Sequence, residues 1–178
     1  MPNAGTHDVI TVVTGAALVP LSYIALLHYG QTPEVARLDT ALLVGAHLLS
    51  GIMFSPDLDI DSKIDNRWGP FYWIWRPYMW AVPHGSRLLS HGLVFPPLLR
   101  LLYFFVVGTL VFLGAAWLLG QIGITVPNYH LQVIHYLENL ARTRPREVEV
   151  FLIGFITGGA AHSIADAVTT YHSGRRHQ

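Results

Sequence analysis

The sequence predicts an all-α integral membrane protein, a bundle of about four helices with a metal site at one membrane face. Three observations predict it. Only 12% of the 178 residues are charged, about half the roughly 25% of a soluble domain, and the mean hydropathy is +0.40. Four apolar stretches punctuate the chain. Between and beside them, acids and histidines gather at positions that a four-helix topology brings to one face.

The length suits one domain over residues 1–178. Formal net charge is zero, so nothing points to a nucleic-acid partner. There is no cysteine, which excludes disulfides and thiolate metal sites. The first apolar helix is expected near residues 9–29, an uncharged run long enough to cross a hydrocarbon core of ~30 Å. Its leader "MPNAGTHD" has no lysine or arginine, and no small-x-small cleavage site follows. A retained helix is therefore expected rather than a signal peptide, capped by Asp8 or Thr6.

The second helix, near 40–55, carries His47. A metal-site loop follows over 56–97, and the third helix is expected near 98–120. "NYHLQVIHYLENLA" then reads as a short amphipathic helix, which places His130 and His135 across the membrane from the acids. The fourth helix, near 149–170, contains "GFITGGAAHSIAD", whose glycines and alanines let helix backbones approach closely. The two long pure stretches are expected to face lipid and to shield the second and fourth helices. Seven basic residues fall on the side of the loop and four on the other, which predicts a cytoplasmic metal site.

Within the loop, "SPDLDIDSKID" holds four of the eleven acidic residues. It is not an EF-hand, because Ser62 stands where the sixth-position glycine belongs and Trp68 where the twelfth-position glutamate belongs. Alternation with Leu58 and Ile60 suggests an extended segment with Asp57, Asp59 and Asp61 on one face. "PHGSRLLSHG" adds His84 and His91, and "HSIAD" sets His162 and Asp166 at i and i+4 on one helix face. His7 precedes the first helix, and His47 could point up from below. Such a nitrogen and oxygen set without sulfur suits Zn²⁺, with Mn²⁺ or Fe²⁺ as alternatives, one or two ions per chain. Arg87, between the two loop histidines, is placed to clamp a phosphate or developing anion as a catalytic group. "WGPFYWIWRPYMW", with four of the five tryptophans, reads as an aromatic belt at headgroup level, or as the approach of a lipid substrate.

Taken together, "THD", "SPDLDIDS", "RWGP…WIWRPY", "PHGSRLLSHG" and "HSIAD" resemble an uncharacterised bacterial family of integral membrane proteins described only as metal-binding. More distantly the pattern is similar to membrane-bound metal-dependent hydrolases, grouped with zinc-dependent phospholipase C and related nucleases. Those hydrolases follow their Asp-x-Asp with histidine where this chain has Ile60, and their loop histidines sit closer together. The resemblance implies a ligand set of His7, Asp57, Asp59, His91, His162 and Asp166, joined by His84 and His47, in a bacterial inner membrane. The expected activity is metal-dependent hydrolysis of a phosphoester, a phospholipid among the candidates. The alternative is a non-catalytic metal-binding protein for storage, sensing or delivery. Transport fits less well, because the acids sit on a loop rather than at the bilayer midplane.

Overall fold

A computed structural model describes residues 4–60, 65–83, 86, 89–90 and 92–175. Among them there are six α-helices and no strand: α1 (Ala4–His28), α2 (Pro33–Met53), α3 (Arg76–Ala81), α4 (Phe95–Gln121), α5 (Tyr129–Thr143) and α6 (Pro145–Arg175). Two 3₁₀ segments, Pro56–Asp59 and Asp65–Trp75, join α2 to α3.

Four helical segments are long and apolar enough to cross a membrane: Gly5–His28, Pro33–Asp59, Phe95–Gln121 and Pro145–Thr169. At 1.5 Å per residue each reaches about 36–40 Å, beyond the ~30 Å of a hydrocarbon core. All four helices begin earlier than apolarity alone suggests, at 4, 33, 95 and 145 instead of 9, 40, 98 and 149. Hydropathy marks the middle of such a helix, whereas its polar first turn is set by capping. Thr32 caps α2 by accepting from Val35 N at 3.4 Å, with Pro33 as the first helical residue, and proline suits that position because its missing N–H is no loss there. The early start of α1 puts His7 and Asp8 inside the helix instead of before it.

The centre of the bundle is the α2–α6 pair, the most extensive helix contact in the chain. Glycine makes the approach possible. A Cβ built at Gly154 would stand 2.2 Å from the Leu43 carbonyl oxygen, and one at Gly158 would stand 2.2 Å from that of His47. α1 closes on α2 in the same way, where a Cβ at Gly51 would meet Thr11 Cγ2 at 2.4 Å. In their most apolar windows α2 and α6 are 44% and 33% buried, against 11% for α1 and none for α4. The long pure helices are the outer ones.

At the end where α1 starts and α2 stops, Phe54 sits among four rings. Trp68, Trp75, Phe104 and Phe155 have centroids 5.2–5.7 Å from its own. The aromatic segment therefore divides. Trp75 and Tyr78 are buried core, while Phe71, Tyr72, Trp73 and Trp80 are exposed. Only the exposed four keep the surface position that a belt requires.

The acidic motif is not extended. Pro56–Asp59 forms a 3₁₀ turn, in which residues i and i+2 point about 120° apart instead of sharing a face. Pro56 at its first position and the Leu58 N–H bonded to Ser55 O at 3.1 Å close the turn. Leu58 still anchors it, fully buried in the aromatic core.

Candidate metal centre

Three parts of the chain meet above the α2–α6 pair: the second turn of α1, the 3₁₀ turn after α2, and the C-terminal half of α6. They bring together His7, Asp57 and His162, each offering one ligand atom, with those atoms all within 4.8 Å of one another. Asp166, one turn along α6 from His162, joins them. His7 Nε2 lies 3.2 Å from Asp166 Oδ1, and His162 Nε2 lies 3.4 Å from Asp166 Oδ2 and 3.5 Å from Asp57 Oδ2. His7, His162 and Asp166 are buried and Asp57 is partly exposed, so the group opens to solvent on the Asp57 side.

The chemistry of this set fits a divalent cation. His7 Nδ1 and His162 Nε2 are buried without a hydrogen-bond partner, an arrangement that is costly for a polar atom unless something binds it. The other nitrogen of His162 is held at 3.0 Å from Ser55 Oγ. With Nδ1–H donating to that hydroxyl, Nε2 keeps its lone pair and the ring is fixed in orientation, as metal-binding histidines usually are. Ser55 carried no signal in the sequence; only the turn that folds it back over α6 reveals it.

The remaining expected ligands go elsewhere or cannot be placed. Asp59 is buried on the other side of the 3₁₀ turn, where its carboxylate accepts a very short hydrogen bond from the Ser90 hydroxyl. His47 is buried between helices. Its Nε2 meets Thr14 Oγ1 at 2.9 Å and the Thr11 carbonyl oxygen at 3.2 Å, and its Nδ1 meets Thr157 Oγ1 at 3.1 Å. Thr157 precedes His162 by five residues, which puts His47 about 7–8 Å deeper along α6. It ties three helices and does not reach the cluster. Asp61, His84, Arg87 and His91 lie outside the described residues. His130 and His135 are on α5, where His130 lines a hollow with Thr109 and Leu110 of α4 and His135 lies exposed beside Glu138.

Three further interactions were not legible in the sequence, and two of them lie at the site. Asp8 is held by both oxygens in the fork of Arg67, at 2.9 and 2.6 Å, and Arg67 also donates to Ile52 O at 2.8 Å. This clamp ties α1 to the loop beside His7 and turns Asp8 away from the cluster. Arg100, counted from sequence only as one of the basic residues of this face, is fully buried and donates to Ser90 O at 3.3 Å. At the far end, Arg146 grips the buried Asp39 at 2.6–2.7 Å and Gln31 at 2.6 Å, pinning the starts of α2 and α6.

Residues 2–176 match the family described as uncharacterized metal-binding protein (DUF2227). The chain belongs to this family. No curated protein and no solved structure matches it. The family's metal-binding description and the His7, Asp57 and His162 group together suggest a metal ion.

Proposed function

We propose that this family member is a membrane-embedded, metal-dependent hydrolase of a phosphoester, with its centre at one bilayer face. The observation that carries the reading is the small, mixed ligand set: two histidines and one carboxylate close together, with a second carboxylate bridging them. A catalytic site typically gives an ion three protein ligands and leaves a position for water or substrate, whereas a structural site is closed by four. The partly exposed Asp57 marks the open side. His7, Asp57 and His162 would hold the ion, with the Asp166 carboxylate adding negative charge beside both rings. When bound, a divalent ion there supplies Lewis acidity toward a phosphoryl oxygen and lowers the pKa of a water.

The chain's own groups do the rest. Ser55 fixes the tautomer of His162, Arg67 holds the first turns of α1 against the loop, and Arg87 is our candidate for the substrate's anion. Zinc is favoured by the ligand chemistry, with manganese or iron next. A lipid substrate fits four apolar helices and the exposed rings of Phe71, Tyr72, Trp73 and Trp80, which suit the headgroup layer. A cytoplasmic face follows from the distribution of basic residues.

The second reading, a non-catalytic metal store, sensor or carrier, draws on one observation: His7, His162 and Asp166 are each 6% exposed or less, as in a closed site. Metal analysis of the purified protein, followed by a screen of water-soluble and lipid phosphoesters with metal-loaded protein, separates the two. Turnover that disappears on chelation and in Asp57→Asn supports the hydrolase. Full metal occupancy with no turnover of any phosphoester leaves the binding-only reading.

A further inference from the structure

Arg100 sits on the first turns of α4 with no exposed surface, packed over the backbone of α6 where Gly159 leaves room. A Cβ built at Gly159 would stand 2.5 Å from Pro97 Cγ and 3.4 Å from Arg100 Nη2. Gly159 precedes the ligand His162 by three residues, so the guanidinium lies about one helical turn from the metal cluster. Nη1 donates to Ser90 O at 3.3 Å. Nε and Nη2 meet no acceptor in close hydrogen-bond geometry.

Those two nitrogens form one edge of the guanidinium, the edge whose parallel N–H bonds match two oxygens of a carboxylate or phosphate. The carboxylates whose fields reach Arg100, Asp59 and Asp57, are turned to other partners, Ser90 and His162 respectively. Among the described residues, the polar side chains near the open edge are neutral hydroxyls. The buried Tyr78 hydroxyl faces the guanidinium as a neutral neighbour whose oxygen can accept from it, and burial pushes its phenol above the ordinary value, which keeps it protonated. Ser163, one turn beyond Gly159 on the same face of α6, is buried with its hydroxyl unpartnered. A buried guanidinium whose open edge has only neutral hydroxyls beside it is strongly unfavourable, and hydroxyls free to donate beside a positive charge suit an anionic acceptor with several oxygens.

We propose that Arg100, with Tyr78 and Ser163, forms a buried subsite for one tetrahedral oxyanion, the phosphate group of a substrate or product, beside the metal centre. This rests on the phosphoester reading for its choice of anion and names a second cation besides Arg87. Arg100 is tethered by Ser90, the same residue that bonds Asp59, so the acidic turn and the anion subsite share one support. Free phosphate and a lipid phosphate offer the same oxygens, and the test distinguishes them.

The test is calorimetric titration of the zinc-loaded full chain in detergent with inorganic phosphate and, separately, with dihexanoyl phosphatidic acid. At least one probe should bind the wild type, and the tighter one names the source. Arg100→Gln should weaken that binding at least tenfold, roughly the effect of losing one charged hydrogen bond or more, with zinc content unchanged. Arg100→Lys should recover only part, since an ammonium cannot present two parallel donors. Tyr78→Phe, which keeps the ring packing, should cost roughly threefold, the size of a weak neutral hydrogen bond. The inference is overturned if neither probe binds the wild type or if Arg100→Gln binds as the wild type does. Should Arg100→Gln not fold, unchanged affinity in Tyr78→Phe overturns it instead. Arg100-dependent binding with no phosphoester turnover would sink the hydrolase reading alone; turnover with Arg100-independent binding would sink this subsite alone.

Discussion

The imidazole of His7 stacks on that of His162, centroids 3.6 Å apart and ring planes 10° from parallel. Residues 155 positions apart thus present nitrogens side by side, with the Asp166 oxygens 3.2 and 3.4 Å from them. Stacking leaves the ring edges free for ligation and fixes their separation before any ion arrives, so most of the ordering cost falls on folding. Such preorganisation depends on the start of α1 and the C-terminal half of α6 lying at the same face as the turn after α2.

Metal content should follow the geometry of the 3₁₀ turn. Asp57→Asn removes a ligand of the cluster and should lose most of the metal, whereas Asp59→Asn, on the opposite side of the turn, should keep it. Elemental analysis of the two single variants after identical purification checks this. Equal loss in both would mean that Asp59 also ligates. Chelation of the wild type should lower its melting temperature, because an ion held at a hundred times its Kd adds about 2.7 kcal/mol.

Ser55→Ala should weaken metal binding about 10–100-fold without removing a ligand, the usual effect of deleting the partner of a metal-bound histidine. Competition against a chromophoric chelator measures it. Affinity equal to wild type would show that packing alone orients His162.

Close helix approach gives a stability prediction with its own control. Gly154→Ala places a methyl 2.2 Å from the Leu43 carbonyl oxygen, a backbone atom that cannot rotate away. It should destabilise by at least ~1–3 kcal/mol, the range for overpacking. Gly108→Ala, on α4 with nothing within 4 Å, should be neutral or gain up to ~1 kcal/mol from helix propensity. Unfolding of both variants in mixed micelles provides the comparison.

Much of this architecture was legible because it rests on patterns the sequence states directly. Uncharged runs gave the four long helices, the spacing of His162 and Asp166 gave one helix face, and the small residues of α6 gave the close approach to α2. What was not legible depends on local turns and on distant partners. Alternation of acids and aliphatics reads as a strand, but a proline at the first position and an N–H returned to Ser55 turn 56–59 into a 3₁₀ segment, separating Asp57 from Asp59. The roles of Ser55, of Arg67 against Asp8, and of Arg100 under Ser90 join positions that no local pattern links. His47 looked like a ligand because a histidine in an apolar helix is expensive; its partners, Thr11, Thr14 and Thr157, lie on other helices and could not be paired with it from sequence.

His47 gives the sharpest separation between a ligand and a structural tie. Its ring is enclosed by α1 and α6, with Nε2 facing Thr11 O and Thr14 Oγ1 and Nδ1 facing Thr157 Oγ1. Both threonine hydroxyls also reach carbonyls of their own helices, Thr14 to Ile10 O at 2.7 Å and Thr157 to Gly154 O at 2.8 Å. Replacing the ring with leucine of similar reach would therefore strand neither hydroxyl, and the loss is confined to the interhelical bonds. At ~0.5–1.5 kcal/mol net for each, His47→Leu should cost roughly 1–3 kcal/mol of stability. Metal stoichiometry and affinity should stay at the wild-type level, because the ring lies a turn and more below the cluster. His162→Leu should do the reverse, abolishing metal binding. Unfolding in mixed micelles and elemental analysis of the same preparations read both effects. Loss of metal from a folded His47→Leu protein would show that the ring reaches the ion after all.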